Sequence, residues 1–328
     1  MKTKKTRAMR ILQIFLLSAL FTGLCAPAWA QGGRGGMSGV VADSMGAIIP
    51  GASVAATSIA SGSRINTTSN AAGLYSFVSL APGAYEVRAG AKGFETVLQK
   101  NVMVSLDQVT TVNFALRVGA VNEVVTVSES TALVDTSNST VGQLIGAETI
   151  DRVPLLTRNV YDLVQLSPGV TPANGAPNSS SSQSISSITS GRPGIDVSSY
   201  TINGAIIGSV YYMVDGSPLG IAENNPGAIM PALDLPEDAV EETRVETQNT
   251  PASYQSGGAG VISVASKSGG SKFHGDAFGV FRPNAMAANE FFNKQAGQAT
   301  PDYHRYQEGG SIGGPILHTK LFFFGDYE

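Results

Sequence analysis

The chain has 328 residues, 21 Lys+Arg against 25 Asp+Glu, 38 glycines and a single cysteine. Its net charge of −4 leaves no electrostatic footprint for nucleic acid, and one cysteine cannot build a disulfide framework. No apolar run reaches the ~20 residues of a membrane-crossing helix.

The N-terminus reads as an export signal. Lys2, Lys4, Lys5, Arg7 and Arg10 precede an apolar core at positions 11–24, and Ala28-Trp29-Ala30 offers the small residues that a signal peptidase reads. Residues 1–30 are therefore expected to be a signal peptide, cut between Ala30 and Gln31. Its core is too short for a membrane anchor, and Thr22 and Leu24 before Cys25 do not suit a lipobox. Removing it takes away five basic residues and the cysteine, leaving 16 Lys+Arg against 25 Asp+Glu, net −9. An exported chain without a spanning helix can still enter an outer membrane as a β-barrel, whose alternating strands give a weak hydropathy signal.

Residues 38–117 read as all-β. Val102, Val104 and Leu106 alternate with other residues, as do Val112, Phe114 and Leu116. Tyr85, Val87 and Ala89 share one face while Glu86 and Arg88 take the other. Pro50-Gly51, Asn70-Ala71-Ala72-Gly73 and Pro82-Gly83 mark turns. About seven short strands in such a span point to a β-sandwich. Tyr75, Phe77, Tyr85 and Phe94 have the look of a sugar-stacking platform, but their place inside alternating strands favours core packing.

Gly39-Val40-Val41-Ala42-Asp43, Gly46, Ile49-Pro50-Gly51-Ala52-Ser53-Val54, Gly73-Leu74-Tyr75-Ser76-Phe77, Pro82-Gly83-Ala84-Tyr85-Glu86-Val87 and Lys92-Gly93-Phe94 fall in order. This segment, residues 37–117, resembles the carboxypeptidase regulatory-like domain, a sandwich of the carbohydrate-binding-like fold. The resemblance implies no peptidase chemistry, since catalysis in such enzymes belongs to another domain and no zinc-ligand motif occurs here.

Residues 118–132 form a linker containing Glu123, Val124, Val125, Thr126 and Val127. Its composition suits a plain linker strand. By resemblance it is a TonB-box-like segment, which would add as a strand to a periplasmic partner.

Residues 133–269 alternate between helical and extended patterns. Val160, Leu163 and Val164 sit at helical spacing, ending before Pro168-Gly169. Residues 176–190 are serine-rich and read as a loop. Ile202-Asn203-Gly204 and Tyr212-Met213-Val214-Asp215-Gly216 suggest a hairpin, and Pro236 with Glu237 and Asp238 a short helix start. Gly257-Gly258-Ala259-Gly260 leads into another strand and lacks the Lys-Ser/Thr of a phosphate cradle. Leu155-Leu156-Thr157-Arg158-Asn159, the run Leu163-Val164-Gln165-Leu166-Ser167-Pro168-Gly169-Val170, Val214-Asp215-Gly216 and Lys267-Ser268-Gly269 resemble the α/β plug domain of TonB-dependent receptors of the Oar-like group. Gly270-Ser271-Lys272 departs from that group's usual pattern, which has Thr-Asn there.

Residues 270–328 resume strands over 273–282, 307–317 and 320–328. Their aromatics, among them Phe278, Phe281, Tyr306, Phe322, Phe323, Phe324 and Tyr327, suit the interfacial girdles of a membrane barrel. By resemblance these are the first strands of an incomplete transmembrane β-barrel. The fold class expected overall is mainly β: sandwich, α/β plug, then barrel start.

Enzymatic constellations are missing. Gly309-Gly310-Ser311-Ile312-Gly313 fits a nucleophile-elbow pattern, but Gly314-Pro315 forbids the helix that must follow. His274, His304 and His318 lack helix-borne zinc spacing, and acids such as Asp215 and Asp234 read as turn residues. Neither catalytic nor metal nor cofactor-binding residues are expected.

The resemblance implies energised uptake of a small ligand (oligosaccharide, siderophore or peptide) across the outer membrane. A plug would gate the barrel, with the sandwich in the periplasm and a TonB-type energy-coupling protein of the inner membrane as partner. The alternative is a secreted or surface carbohydrate-binding protein using the sandwich. Three strands after residue 272 cannot close a barrel of at least about eight, so the chain is expected to be part of a longer receptor and to form no pore alone.

Overall fold

The computed structural model describes residues 35–119, 124–127, 139–155, 158–172, 200–205, 209–222, 229–231, 235–251, 254, 258–283, 285, 288–289, 291–300, 304–317 and 319–328. The expected signal peptide with its cut between Ala30 and Gln31, Glu123, the serine-rich stretch 176–190, Asp234 and His318 lie outside the described residues.

Nine strands come first: β1 (Gly35–Asp43), β2 (Ser53–Ser58), β3 (Arg64–Thr68), β4 (Leu74–Leu80), β5 (Gly83–Gly90), β6 (Thr96–Val104), β7 (Val109–Thr111), β8 (Phe114–Leu116) and β9 (Val124–Val127). They make two sheets, one ordered β4-β1-β7 with β8 also on β1, the other β3-β2-β5-β6-β9. Period-two alternation sends one side of each strand inward. Tyr85, Val87 and Ala89 are buried while Arg88 is exposed, and Val102 and Val104 enter the same core as Phe114 and Leu116. Each such residue contributes roughly 2 kcal/mol on burial.

Tyr75, Phe77 and Tyr85 are core, as their spacing implies, while Phe94 packs half-buried against it. Tyr75 packs 5.9 Å from both Phe77 and Phe114, and its hydroxyl donates to the Val112 carbonyl at 2.6 Å. At Gly39 the chain ahead of β8 crosses so closely that an added Cβ would lie 1.8 Å from the Val112 oxygen. No side chain fits there.

A second region follows: β10 (Val141–Gly146), the short helix α1 (Ala147–Arg152), a 3₁₀ turn (Val160–Leu166), β11 (Val170–Pro172), β12 (Tyr200–Ile202), β13 (Val210–Val214), β14 (Ser217–Pro218), β15 (Gly220–Ala222), β16 (Ile229–Pro231), a 3₁₀ turn (Glu237–Ala239), β17 (Val240–Gln248) and β18 (Gly260–Ser266). Its main sheet runs β10-β17-β18-β13-β14, with β13 parallel to β18 and the other pairs antiparallel. Val160, Tyr161, Leu163 and Val164 pack on Ile145, Tyr212, Val245 and Ile262, and the Tyr161 and Tyr212 rings meet edge-on at 5.6 Å.

The helix expected at Val160 forms as a 3₁₀ turn; Asn159 caps it by accepting from the Tyr161 N–H, and it stops at Ser167 before Pro168. One expectation needs correction here. The hairpin joining positions 202 and 212 does not form. β12 pairs with β11, and β13 turns through Asp215-Gly216 onto β14. Turn residues mark where a strand ends, but they do not choose its partner.

The last three strands, β19 (His274–Arg282), β20 (Arg305–Leu317) and β21 (Leu321–Tyr327), form an antiparallel meander. One face carries Asp276, Phe278, Ser311 and Asp326 in register; the other carries Phe281, Tyr306, Ile312 and Tyr327, all exposed. An outward apolar face and an inward polar one is the pattern of a membrane barrel wall. Among the described residues no helix is long and apolar enough to cross a membrane.

Candidate functional site

The joints between these three regions hold most of the buried charge. Arg158 reaches from the loop before the first 3₁₀ turn towards the second. Its guanidinium pairs with Glu237 at 2.6 Å, with Asp238, and with Glu328 beyond β21 at 3.5 Å. Its guanidinium carbon also lies 3.6 Å from the centre of the Phe278 ring on β19. Burial pushes the Glu237 and Asp238 carboxyls up against the pull of Arg158. The acids expected at a helix start are therefore spent on this cation as well as on the helix end.

The second joint lies between the sandwich and β17. A bulge between Val240 and Glu242 shifts the strand's parity, so Val240 and Val245 both enter the core. Glu242, Arg244 and Glu246 then share the opposite face, and all three are buried. Glu242 accepts the backbone N–H of Leu106 in the β6–β7 turn. Arg244 Nε donates to Glu246 at 3.0 Å, while Glu246 Oε2 has no hydrogen-bond partner among the described residues. Burial pushes the Glu242 carboxyl up to about 7, against the Leu106 N–H, and raises Asp107 against the Tyr254 hydroxyl and the Arg244 charge. Beside this joint opens a cleft of about 640 Å³, lined by Met103 and Gln108 of the sandwich and by Leu144, Glu148, Glu241 and Arg244.

The expected partner-binding segment is an edge strand. Val124–Val127 runs parallel to β6, from Thr96 opposite Val124 to Gln99 opposite Val127. Among the described residues it is the outermost strand of its sheet, so one row of its backbone groups has no strand partner among them.

Other residues singled out by sequence have structural roles. Ser311 sits in mid-strand and donates to Asp276, so the elbow-like motif is not a strand-to-helix turn. Asp215 accepts from the N–H and hydroxyl of Ser266 at 2.9 and 2.7 Å. His274 stacks on Phe324, and no cluster of three metal-ligating side chains occurs among the described residues. Sequence reasoning missed Arg158, Glu242, Arg244 and Asp107 as a set. Only the bulge in β17 and the facing sandwich bring Glu242, Arg244 and Asp107 together.

Residues 36–117 match the carboxypeptidase regulatory-like domain, and residues 265–328 match the outer membrane beta barrel domain. The chain is 25% identical over 270 residues, 79% of its length, to the TonB-dependent transporter Oar of Myxococcus xanthus, and it spans 23% of that protein. It is also similar to the siderophore receptor PirA from Acinetobacter baumannii, at 19% identity and a TM-score of 0.38 over 57% of this chain and 24% of that one. The siderophore receptor PirA from Pseudomonas aeruginosa gives 20% identity and a TM-score of 0.33 over 54% and 26%.

Proposed function

We propose that this chain, which is similar to the TonB-dependent transporter Oar, serves energised uptake of a small ligand across the outer membrane, its plug sheet gating a barrel that begins at β19. The Arg158 junction carries this reading. A plug cation is held between plug acids and the inward face of the barrel strands, a contact that must rearrange if the plug is to move. The outer membrane supplies no ATP, so such a gate needs a partner to work it. A TonB-type protein of the inner membrane would take the edge strand Val124–Val127, together with the preceding Glu123 of the segment, by strand addition.

Loop lengths support an orientation. The β19–β20 connection spans residues 283–304 whereas β20 and β21 are joined by residues 318–320. Outer-membrane barrels keep short turns on the periplasmic side. Gly62 of the sandwich stands beside Thr319 in that short turn, which favours a periplasmic sandwich. The carbohydrate-binding alternative loses its platform, since Tyr75, Phe77 and Tyr85 are buried.

The test is disulfide trapping in outer membranes between Thr126→Cys and a cysteine-scanned C-terminal domain of the TonB-type protein. Crosslinks at alternate partner positions are expected, together with loss of binding in Val125→Pro. Absence of any crosslink, with binding intact in Val125→Pro, would sink the assignment of this segment.

A further inference from the structure

Two turns of the sandwich touch the rest of the chain, and the sandwich fold requires neither contact. At the first, Leu106 is fully buried yet belongs to neither hydrophobic core. A leucine at the tip of a turn should end in water. Here its backbone N–H donates to Glu242 on β17, Ser105 beside it is buried, and Asp107 holds a left-handed φ of 53°. At the second, the Ala60 carbonyl in the β2–β3 turn accepts both the N–H of Ser271 at 2.9 Å and its hydroxyl at 3.0 Å. The approach is close: a Cβ on Gly270 would lie 3.1 Å from the same oxygen.

We propose that the sandwich is a clasp, its β6–β7 turn gripping the plug at β17 while its β2–β3 turn grips the residues that lead into β19. The proposal rests on reading β10–β18 as a gating plug. Plug and first barrel strand are thereby tied to one body, and opening the gate requires at least one grip to let go. The plug-side grip suits release. Glu242, Glu246 and Asp107 gather there around Arg244, and Glu241 beside them has Lys267, so the joint gathers more carboxyls than cations and is held less firmly than a core.

Native-state amide hydrogen exchange on the whole chain in detergent tests this. The Leu106 amide is expected to exchange about 100-fold slower than an unprotected one. Glu242→Ala should speed it about tenfold, while Glu242→Gln, which keeps an acceptor oxygen, should not. Gly270→Val, which breaks the other grip, should also speed Leu106 although it lies at a different turn. The amides of Val87 and Ile262, one in each core, report unfolding. Where Gly270→Val opens a core, Ser271→Ala decides: loss of the hydroxyl bond alone should speed Leu106 by about threefold. An unprotected Leu106 in the unaltered chain overturns the clasp, as does a Leu106 rate that ignores both position-270 and position-271 variants. Exchange needs neither ligand nor energy partner, so a chain that transports with Leu106 free loses only the clasp. A protected Leu106 in a chain that never meets a TonB-type partner leaves the clasp standing and removes the uptake reading.

Discussion

The guanidinium carbon of Arg158 lies 3.6 Å from the centre of the Phe278 ring, so the second region and strand β19 share one cation–π contact. The same cation neutralises Glu237 and Asp238, and its side chain is only 11% exposed. Arg158→Ala would strand two partly buried carboxylates. A loss of about 3 kcal/mol in urea unfolding is expected. Arg158→Lys should recover less than half of it, because an ammonium supplies charge without the planar fork. An unchanged midpoint in Arg158→Ala would show the junction to be incidental.

Glu242 sets a pH dependence. Its carboxyl holds a proton up to about pH 7 in the folded chain but releases it near 4.5 when unfolded. The folded state therefore binds the extra proton between those values, and stability falls as pH rises through that window, then levels off above it. The whole difference amounts to roughly 3 kcal/mol at most. Glu242→Gln should flatten the slope between pH 5 and 7 in thermal melts, and a slope identical to that of the unaltered chain would refute the assignment.

Gly39→Val tests the close crossing of β1 and the chain before β8. A side chain there meets the Val112 carbonyl, so β1 must separate from its neighbour. A destabilisation above about 3 kcal/mol is expected, read as loss of the sandwich's cooperative unfolding. Gly39→Ala should be damaging in the same direction, since the clash is with Cβ itself.

Tyr75→Phe removes only the hydroxyl that donates to Val112. The buried carbonyl loses its donor, at a cost of about 1 kcal/mol in chemical denaturation. Because the ring faces the core, oligosaccharide binding by glycan array should be identical in the two proteins. A difference would bring the sugar-platform reading back.

The sandwich was legible because its information is local. Alternation in Tyr85-Glu86-Val87-Arg88-Ala89 and turn residues such as Pro82-Gly83 specify strands without reference to anything distant. β19 to β21 also begin and end within a few residues of their expected bounds, which came from resemblance to barrel strands. The joints were not legible. Leu106 and Glu242 are 136 positions apart, and nothing in either neighbourhood announces the other. Partner choice failed for the same reason at β12, which the sequence pattern joins to its neighbour β13 and which pairs instead with β11, some 30 residues back. The role of Arg158 was not legible either, because its partners come from three separate stretches of chain.

Ser271 grips position 60 through a main-chain carbonyl, and the alanine methyl takes no part in the hydrogen bonding. The joint is therefore blind to residue identity on the hairpin side and exacting on the other, where Gly270 must stay bare and Ser271 must keep its donors. Drift at the hairpin tip can proceed without loosening the hold. Two interlocking surfaces thus face unequal restraint, and a swapped-in sandwich with the same turn geometry but unrelated side chains would still find its seat.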